Sequence, residues 1–315
     1  MAATSDITMP LTAAADRPRG KPWTARLFPY LLIAPTLFFV FLFTLWPAAQ
    51  SLTQSLYTRD PRSADTRFAG IQNYLDLFDE THVIGSQFPR ILGNTLIFAF
   101  ATVFISLPLS LGFALLLNRK IQALGLWRFS IFYPALLPLI GAASIWAFLY
   151  ADTIGLINTV LRSFGFPGIN WLGDPNVVLF SVIIVNIWVQ SGFYMLFYLS
   201  GLQGIPRDIY EAGALDGASG AQAFFYLTLP LLRRTTLFIL VMMFTFAFQT
   251  VEQLQVLGQG NPNNRANLLL YFIFQNRSED LNFGHVYAMT VILTLIVLIF
   301  TVSNFVFFER GREEH

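Results

Sequence analysis

The chain contains no cysteine, two lysines and three histidines among its 315 residues. The lack of cysteine excludes disulfide bonds and thiolate metal sites. The histidines, His82, His285 and His315, lie far apart in the sequence, so neither a metal centre nor a cofactor site is predicted. Neither lysine stands in a G-x-x-x-x-G-K-[ST] loop, so this chain is not expected to bind and hydrolyse ATP itself. The net charge of +1 does not indicate a nucleic-acid partner.

Charged residues are scarce as well, at 12% of the chain against 55% hydrophobic residues. A soluble domain carries about 25% charged residues. Most of the charge-free runs reach the roughly 20 apolar residues that cross a membrane as a helix. The fifth is shorter and is expected to continue through Glu252 to Leu257. The sequence therefore predicts an all-α integral membrane protein with six transmembrane helices, in the runs Phe28–Thr58, Ile91–Asn118, Phe129–Ala151, Pro175–Pro206, Thr235–Val251 and Leu281–Phe308.

The distribution of arginine and lysine predicts the orientation of these spans. With the N-terminus in the cytoplasm, twelve of these residues fall on the cytoplasmic side and seven outside, which favours both termini inside. We expect residues 1–26 to be a disordered tail, residues 27–310 to form the six-helix domain in the cell inner membrane, and residues 311–315 to be a second tail. A cleaved signal peptide ending near residues 47–49 is the alternative for the first run, which is longer than a signal peptide requires.

Three predicted outer loops differ in character. The loop Arg59–Arg90 is the longest, and the loop Asp152–Asp174 includes a segment, Gly155–Phe164, that suits a short interfacial helix. The loop Gly258–Asp280 has Gly258, Gly260, Pro262 and four asparagines up to Asn267, and is expected to be turn-rich.

The cytoplasmic loop 203–234 has the pattern of two short helices. Pro206 suits the first turn of a helix, and Gly217 falls where that helix would end. A second helix is expected to start near Ser219, and Pro230 marks the entry to the fifth span. Such a loop is suited to docking on another protein.

This loop carries the run Glu211-Ala212-Gly213-Ala214-Leu215-Asp216-Gly217-Ala218, followed by Phe224 and by Leu227-Thr228-Leu229-Pro230. The run resembles the EAA loop of permease subunits in binding-protein-dependent ABC importers. Two positions depart from the family pattern, because Gly213 replaces an alanine and Leu227 replaces an isoleucine. Asn94-Thr95, Trp171-Leu172 and Gly201–Pro206 are also similar to carbohydrate permeases of the maltose and glycerol-3-phosphate type. Loop 203–234 is called the EAA loop below.

The resemblance implies a type I importer architecture and a set of partners. The expected partners are cytoplasmic ATPase subunits, a second permease (another copy or a different chain), an external solute-binding protein, membrane lipid and a carbohydrate-type solute. The residues expected to seat the EAA loop on the ATPase are Glu211, Ala212, Gly213, Asp216, Gly217 and Ala218. Glu211 would offer its carboxylate to an arginine or a backbone donor, whereas Asp216 would either brace the bend or contact the partner.

Polar residues of the fourth and fifth spans are the candidates for the solute path. Asn186, Gln190 and either Phe193 or Tyr194 recur at helical spacing, and so do Phe246, Gln249 and Gln253. Amides and aromatic rings suit a polyhydroxylated solute. The resemblance implies that Asn186 and Phe246 coincide with sugar-lining positions of the maltose permease. The alternative is that these side chains hold helices together. The full set is Asn186, Gln190, Phe193, Tyr194, Phe246, Gln249, Glu252 and Gln253.

Two other classes of membrane protein were weighed against a permease subunit. An ion-coupled secondary transporter usually buries ionisable residues near the middle of the bilayer, and Glu252 is the one acid in a predicted span, close to its outer end. An intramembrane enzyme would need paired acids, a histidine cluster or a nucleophile turn, which the sequence lacks. The sequence thus favours a non-catalytic permease subunit, and it does not specify the solute.

Overall fold

The computed structural model describes residues 23–59, 65–119, 121–279 and 283–310. Most of the expected N-terminal tail and all of the C-terminal tail lie outside these ranges. The helices are α1 (Trp23–Val40), α2 (Trp46–Gln54), α3 (Gln72–Asp76), α4 (Phe88–Leu117), α5 (Leu124–Phe132), α6 (Leu139–Leu149), α7 (Leu156–Ser163), α8 (Val178–Gln203), α9 (Arg207–Leu215), α10 (Gly220–Ala223), α11 (Leu229–Leu231), α12 (Arg233–Phe248), α13 (Glu252–Val256), α14 (Leu269–Glu279) and α15 (Phe283–Arg310).

The chain divides into two compact units, one up to Gln50 and one from Ser51 onward. In the first unit, α1 continues through a π-helical turn, Phe41–Leu45, into α2. Its side chains from Phe28 to Gln50 are all exposed. The helical residues of this unit from Phe28 onward, together with the last residues of α2, form the first apolar span, Phe28–Gln54.

Five helices are long and apolar enough to span a membrane, and a sixth span results if one bent pair of helices counts as one. The bent pair, Leu124–Leu136 and Leu139–Leu149, turns by 101°. Leu137 and Pro138 are both extended at the bend, because a proline disfavours the helical conformation of the residue before it. The predicted third span is therefore present but broken.

The fifth span is also interrupted, which the sequence did not indicate. Helix α12 ends at Phe248, and α13 starts only at Glu252. The span itself continues to Val256, within one residue of the expected Leu257, but Gln249–Val251 interrupts its helix. The short α13 then packs against α6, so that the C-terminal halves of the two broken spans support each other.

The core of the second unit is built on α4 and α8, which share its most extensive helix–helix contact. Gly192 of α8 lies directly against the backbone of the third span, and a Cβ atom there would collide with the carbonyl oxygen of Ile131. Apolar side chains make up most of the rest of the interior, including Phe98, Val182 and Met195.

A small extramembrane layer caps the end of the bundle where α4, α8 and α15 begin, called here the hairpin end. It contains an antiparallel hairpin of β1 (Tyr57–Arg59) and β2 (Thr66–Phe68), followed by α3. This hairpin is the exception to an otherwise helical set of described elements. The expected interfacial helix in the loop 152–174 is present as α7.

The loop after the fifth span is only partly made of turns. Turns occupy residues 258–267, with positive φ at Gly258 and Gly260 and a cis Asn261–Pro262 bond. The predicted turns at the glycines, Pro262 and the asparagines up to Asn267 are therefore confirmed, and helix α14, which the sequence did not indicate, follows them. Asn94 of α4 donates to the carbonyls of Asn264 and Arg265, each at 3.0 Å. The hydroxyl of Thr95 accepts from the first backbone N–H of α14 at 2.8 Å.

The contact at Gly192 gives a test of the packing of the third and fourth spans. We expect Gly192→Ala to destabilise the folded subunit by about 1–3 kcal/mol, since the obstructing atom belongs to a backbone that cannot rotate away. Thermal unfolding in detergent measures the effect. Gly112→Ala in α4 is the matched control, because no heavy atom lies within 4 Å of a Cβ there. Equal melting temperatures for the two variants would contradict this packing.

Candidate functional site

The EAA loop begins with α9, whose end is fixed by backbone hydrogen bonds. Pro206 precedes the helix and Asp208 lies in its first turn, where an acid is favoured by the helix dipole. Ala218 N–H donates to Gly213 O at 2.9 Å and Gly217 N–H donates to Ala214 O at 3.1 Å. This pair of bonds is a Schellman motif. It requires the positive φ of +80° at Gly217, so the predicted glycine bend is confirmed.

The second half of the loop is fixed by side chains. Ser219 and Gln222 form a capping box: Gln222 N–H donates to Ser219 Oγ at 3.3 Å, and Ser219 N–H donates to Gln222 Oε1 at 2.7 Å. A π-helical turn, Phe224–Thr228, leads to α11. The hydroxyls of Tyr210 and Thr228 lie 3.1 Å apart and join the two halves. The loop therefore has a defined shape within this chain alone.

The two departures from the family motif lie against each other. A Cβ atom on Gly213 would stand 2.7 Å from Leu227 Cδ1. The absence of a side chain at Gly213 leaves room for the side chain of Leu227, so packing couples these two positions.

The outer surface of the EAA loop combines acids with large apolar side chains. Glu211 and Asp216 are exposed, and neither carboxylate has a hydrogen-bond or ion-pair partner among the described residues. Leu215 is 90% exposed, and Phe225 and Tyr226 are exposed too. An exposed apolar patch of this kind marks a protein interface. Ala212 is exposed as well, while Gly213 and Ala218 are half-buried.

The candidate solute-path residues of the fourth span divide by burial. Asn186 and Tyr194 are buried, and the amide nitrogen of the first and the hydroxyl of the second lack partners among the described residues. Gln190 and Phe193 are half-buried. A buried polar group without a partner costs about 1–3 kcal/mol. Such groups call for a water, a solute or a partner chain to complete them.

The fifth span does not present the expected common face. Phe246, Gln249 and Glu252 are exposed, whereas Gln253 is fully buried. The break after Phe248 lies between Phe246 and Gln253, so helical spacing no longer relates these two positions. Both amide atoms of Gln253 lack partners in the described part of the chain. Gln249 lines a cavity of about 600 Å³ with Thr290 and Thr294 of the sixth span.

Two polar residues of the second span were missed by the sequence reasoning. Thr102 and Ser106 are buried one helical turn apart on α4, and their hydroxyl oxygens have no partners among the described residues. The signal available in the sequence was a pair of hydroxyl residues at i and i+4 in an otherwise apolar run.

Comparison with known proteins relates the chain to transport permeases. It is 33% identical over 283 residues to the sn-glycerol-3-phosphate transport system permease protein UgpA of Pectobacterium atrosepticum, covering 90% of this chain and 94% of that protein. The UgpA protein of Agrobacterium fabrum is 31% identical and covers 90% of this chain and 96% of its own length. The UgpA protein of Escherichia coli O157:H7 is 32% identical and covers 90% of this chain and 95% of its own length. No family model matches the chain.

Solved structures show the same fold. A chain of a bacterial ABC transporter involved in import of the acidic polysaccharide alginate superposes with a TM-score of 0.77 at 19% identity, covering 91% of this chain and 97% of that one. The alginate transporter in complex with an alginate pentasaccharide-bound periplasmic protein gives 0.76 at 19% identity, covering 90% and 96%.

These relatives show that the chain is a non-catalytic permease subunit of an ABC importer, and the helical spans agree with this class. More narrowly, the chain belongs to the family of ABC-importer permeases that contains the sn-glycerol-3-phosphate permeases UgpA.

The contact between Gly213 and Leu227 generates a prediction about the motif. Gly213→Ala alone should loosen the EAA loop by about 1 kcal/mol, because the added methyl group must displace Leu227. Combining Gly213→Ala with Leu227→Ala should remove this clash and give a smaller loss than the two single changes summed. Hydrogen exchange of the α9 amides measures the loop directly. Strict additivity in this double-mutant cycle would show that the two positions do not interact.

Proposed function

We propose that this chain forms the translocation path for a carbohydrate, or a related polyol or glycerol-phosphate solute, in an ATP-driven importer of the cell inner membrane. The solute is delivered by an external binding protein, and the EAA loop couples the path to separate ATPase subunits. The observation that carries the proposal is the EAA loop itself, which is ordered by its own bonds and presents unpartnered acids and apolar side chains. The glycerol-phosphate and alginate transport named for its relatives supports the solute class.

The orientation follows from the same proposal. The end of the bundle that carries the EAA loop faces the cytoplasm, with both termini on that side, and the hairpin end faces outward. This agrees with the excess of arginine and lysine on the loop side. A second permease chain completes the path, since the buried polar groups of α4, α8 and α13 have no partners within the described part of this chain.

Coupling requires the loop to move the helices when the ATPase changes shape. Bound ATP shifts the equilibrium between two transporter states only by its differential affinity for them. A loop that is already ordered loses little conformational entropy on docking. Glu211 then offers a carboxylate to the ATPase, and Asp216, whose carboxylate does not brace the bend in this structure, makes a second contact.

Within the membrane, Asn186, Gln190, Phe193 and Tyr194 form the fourth-span side of the path. Phe246, Gln249, Glu252 and Gln253 form the side contributed by the interrupted fifth span. The binding protein docks at the hairpin end, as supported by the alginate transporter solved with a periplasmic protein. An ion-coupled secondary transporter is the weaker alternative, because the acid of the fifth span, Glu252, is exposed rather than buried in the bundle.

The coupling role is tested by two changes in the EAA loop. Glu211→Ala and Gly217→Val should abolish solute-stimulated ATP hydrolysis in the reconstituted transporter while the subunit still inserts at normal levels. Valine at 217 opposes the positive φ that the Schellman motif needs. Wild-type transport in both variants would refute the coupling role.

Delivery by the binding protein is tested by omitting it from vesicles that carry the wild-type transporter. Uptake should then vanish. Full uptake without binding protein would refute the importer mechanism.

The solute path is tested by removing polar groups without changing charge. Asn186→Leu and Gln249→Leu should lower uptake and alter solute preference, with binding-protein-stimulated ATPase activity largely retained. A thermal-shift screen of the binding protein against sugars, polyols and glycerol phosphates selects the solutes to compare. Asn304→Leu is the control, because the Asn304 amide already donates to its own helix at Phe300 O. If the Asn186 and Gln249 variants lose only thermal stability, these residues pack helices instead.

A further inference from the structure

The hairpin and α3 are fastened to the beginning of the sixth span by close-fitting polar contacts. Asn73 of α3 donates to the carbonyls of Ser55 and Tyr57 at 2.8 and 2.9 Å. Gly284 of α15 lies against the same place, where a Cβ atom would collide with the carbonyl oxygen of Tyr57. The hairpin, α3 and the start of α15 thus form one packed unit.

A buried carboxylate and a histidine join α3 to α15 across this unit. Asp76 Oδ2 lies 3.0 Å from His285 Nε2, and both side chains are 12% exposed. Gln72 Nε2 donates to Asp76 Oδ1 at 2.7 Å. Burial raises the pKa of Asp76, but the hydrogen bonds from His285 and Gln72 and the charges of the two nearby histidines outweigh it and hold the pKa below its usual range. The carboxylate is therefore ionised at physiological pH.

The other charged groups near Asp76 lie on the loop after α3 and on the hairpin. His82 Nε2 is 3.7 Å from Asp76 Oδ1, whereas Asp79 bonds locally to Thr81. Arg59 of β1 lies over the ring of Phe283, 5.7 Å from its centre, and Glu80 is exposed. Asp76, His82 and His285 do not form a metal-binding group in the described part of the chain.

A polar contact between buried side chains is a weak source of stability, because the desolvation of the groups offsets their attraction. An apolar pair at these positions would fasten α3 to α15 as well. The distinctive property of the contact is a fixed register: movement of the hairpin relative to α15 would remove the His285 contact of the Asp76 carboxylate, which would keep its bond from Gln72. The contact therefore favours joint movement of the hairpin and the sixth span.

The sixth span continues this connection towards the opposite end of the bundle. Phe300 of α15 stacks on Phe244 of α12, with ring centres 5.1 Å apart. Helix α12 follows directly after the EAA loop.

The hairpin end of the bundle exposes apolar side chains. Phe68, Ile71 and Val83 are each 65% exposed or more, and they offer a surface for a protein partner.

We propose that Asp76 and His285 are positioning residues that transmit docking of the solute-binding protein from the hairpin end to the sixth span. The proposal rests on the proposed function, in which the binding protein docks at this end. Docking acts on the exposed apolar side chains around α3. The Asp76–His285 pair passes the resulting displacement to α15, and the stacked phenylalanines pass it to the helix that begins at the EAA loop.

The experiment measures ATP hydrolysis by the complete transporter in lipid nanodiscs while binding protein loaded with sn-glycerol-3-phosphate is titrated. His285→Leu and Asp76→Ala should lower the maximal stimulated rate at least about fivefold, the lower range of allosteric coupling. The half-saturating concentration of binding protein and the basal rate should not change. His285→Gln should restore stimulation, because its side-chain amide can donate to Asp76. Asp76→Asn, which keeps the size of the side chain, should give a milder loss.

Asp79→Asn is the matched control, since this acid lies three residues away and its carboxylate accepts locally from Thr81. A raised half-saturating concentration at an unchanged maximal rate would make the pair a docking contact and overturn the proposal. Lowered thermal stability with unchanged stimulation would overturn it too, by showing a purely structural role. If binding protein loaded with any of the sugars, polyols and glycerol phosphates of the thermal-shift screen fails to stimulate the wild-type transporter, the proposed function fails rather than this inference.

Discussion

The apolar layer of the membrane imposes the constraint on which this structure depends, because a backbone N–H or C=O group there must find its partner within protein. In the second, fourth and sixth spans, long helices satisfy these groups with hydrogen bonds inside the helix. The third and fifth spans break instead, and their C-terminal halves, α6 and α13, pack together. The breaks coincide with the region where Gln253 is buried without a partner. Buried polar groups without partners among the described residues also occur on the unbroken helices, at Thr102, Ser106 and Asn186, and water, solute or a second permease can complete them.

Local signals in the sequence were sufficient for the spans and for the EAA loop. Charge-free length predicts a membrane helix, and Gly217 and Ser219 specify a helix end and a helix start through their own conformational preferences. The break at Gln249–Val251 has no proline or glycine to announce it. Helix α14 starts at a residue whose N–H is bound by Thr95, 174 residues earlier in the chain. The Asp76–His285 pair spans 209 residues. Features set by such distant partners were not predictable from a local pattern.

Burial of the candidate solute-path residues was the least predictable property of the site. Helical spacing correctly places Asn186 and Gln190 on one continuous helix, but spacing alone cannot say that the first is buried and the second half-buried. On the fifth span the spacing argument failed because the helix itself did not continue. The family motif has a different limit. It treats Gly213 and Leu227 as two separate departures, whereas the structure shows that the two positions lie against each other.

The self-contained order of the EAA loop has a consequence for how importers are assembled. The Schellman motif, the capping box and the Tyr210–Thr228 contact all lie inside the loop, so its shape is set within this chain. Under the proposed function, an ATPase would need only a cleft that matches this shape, whatever solute the membrane path conducts. One ATPase could then serve several permeases that share the loop and differ in their membrane paths. Solute specificity and energy supply would diversify separately.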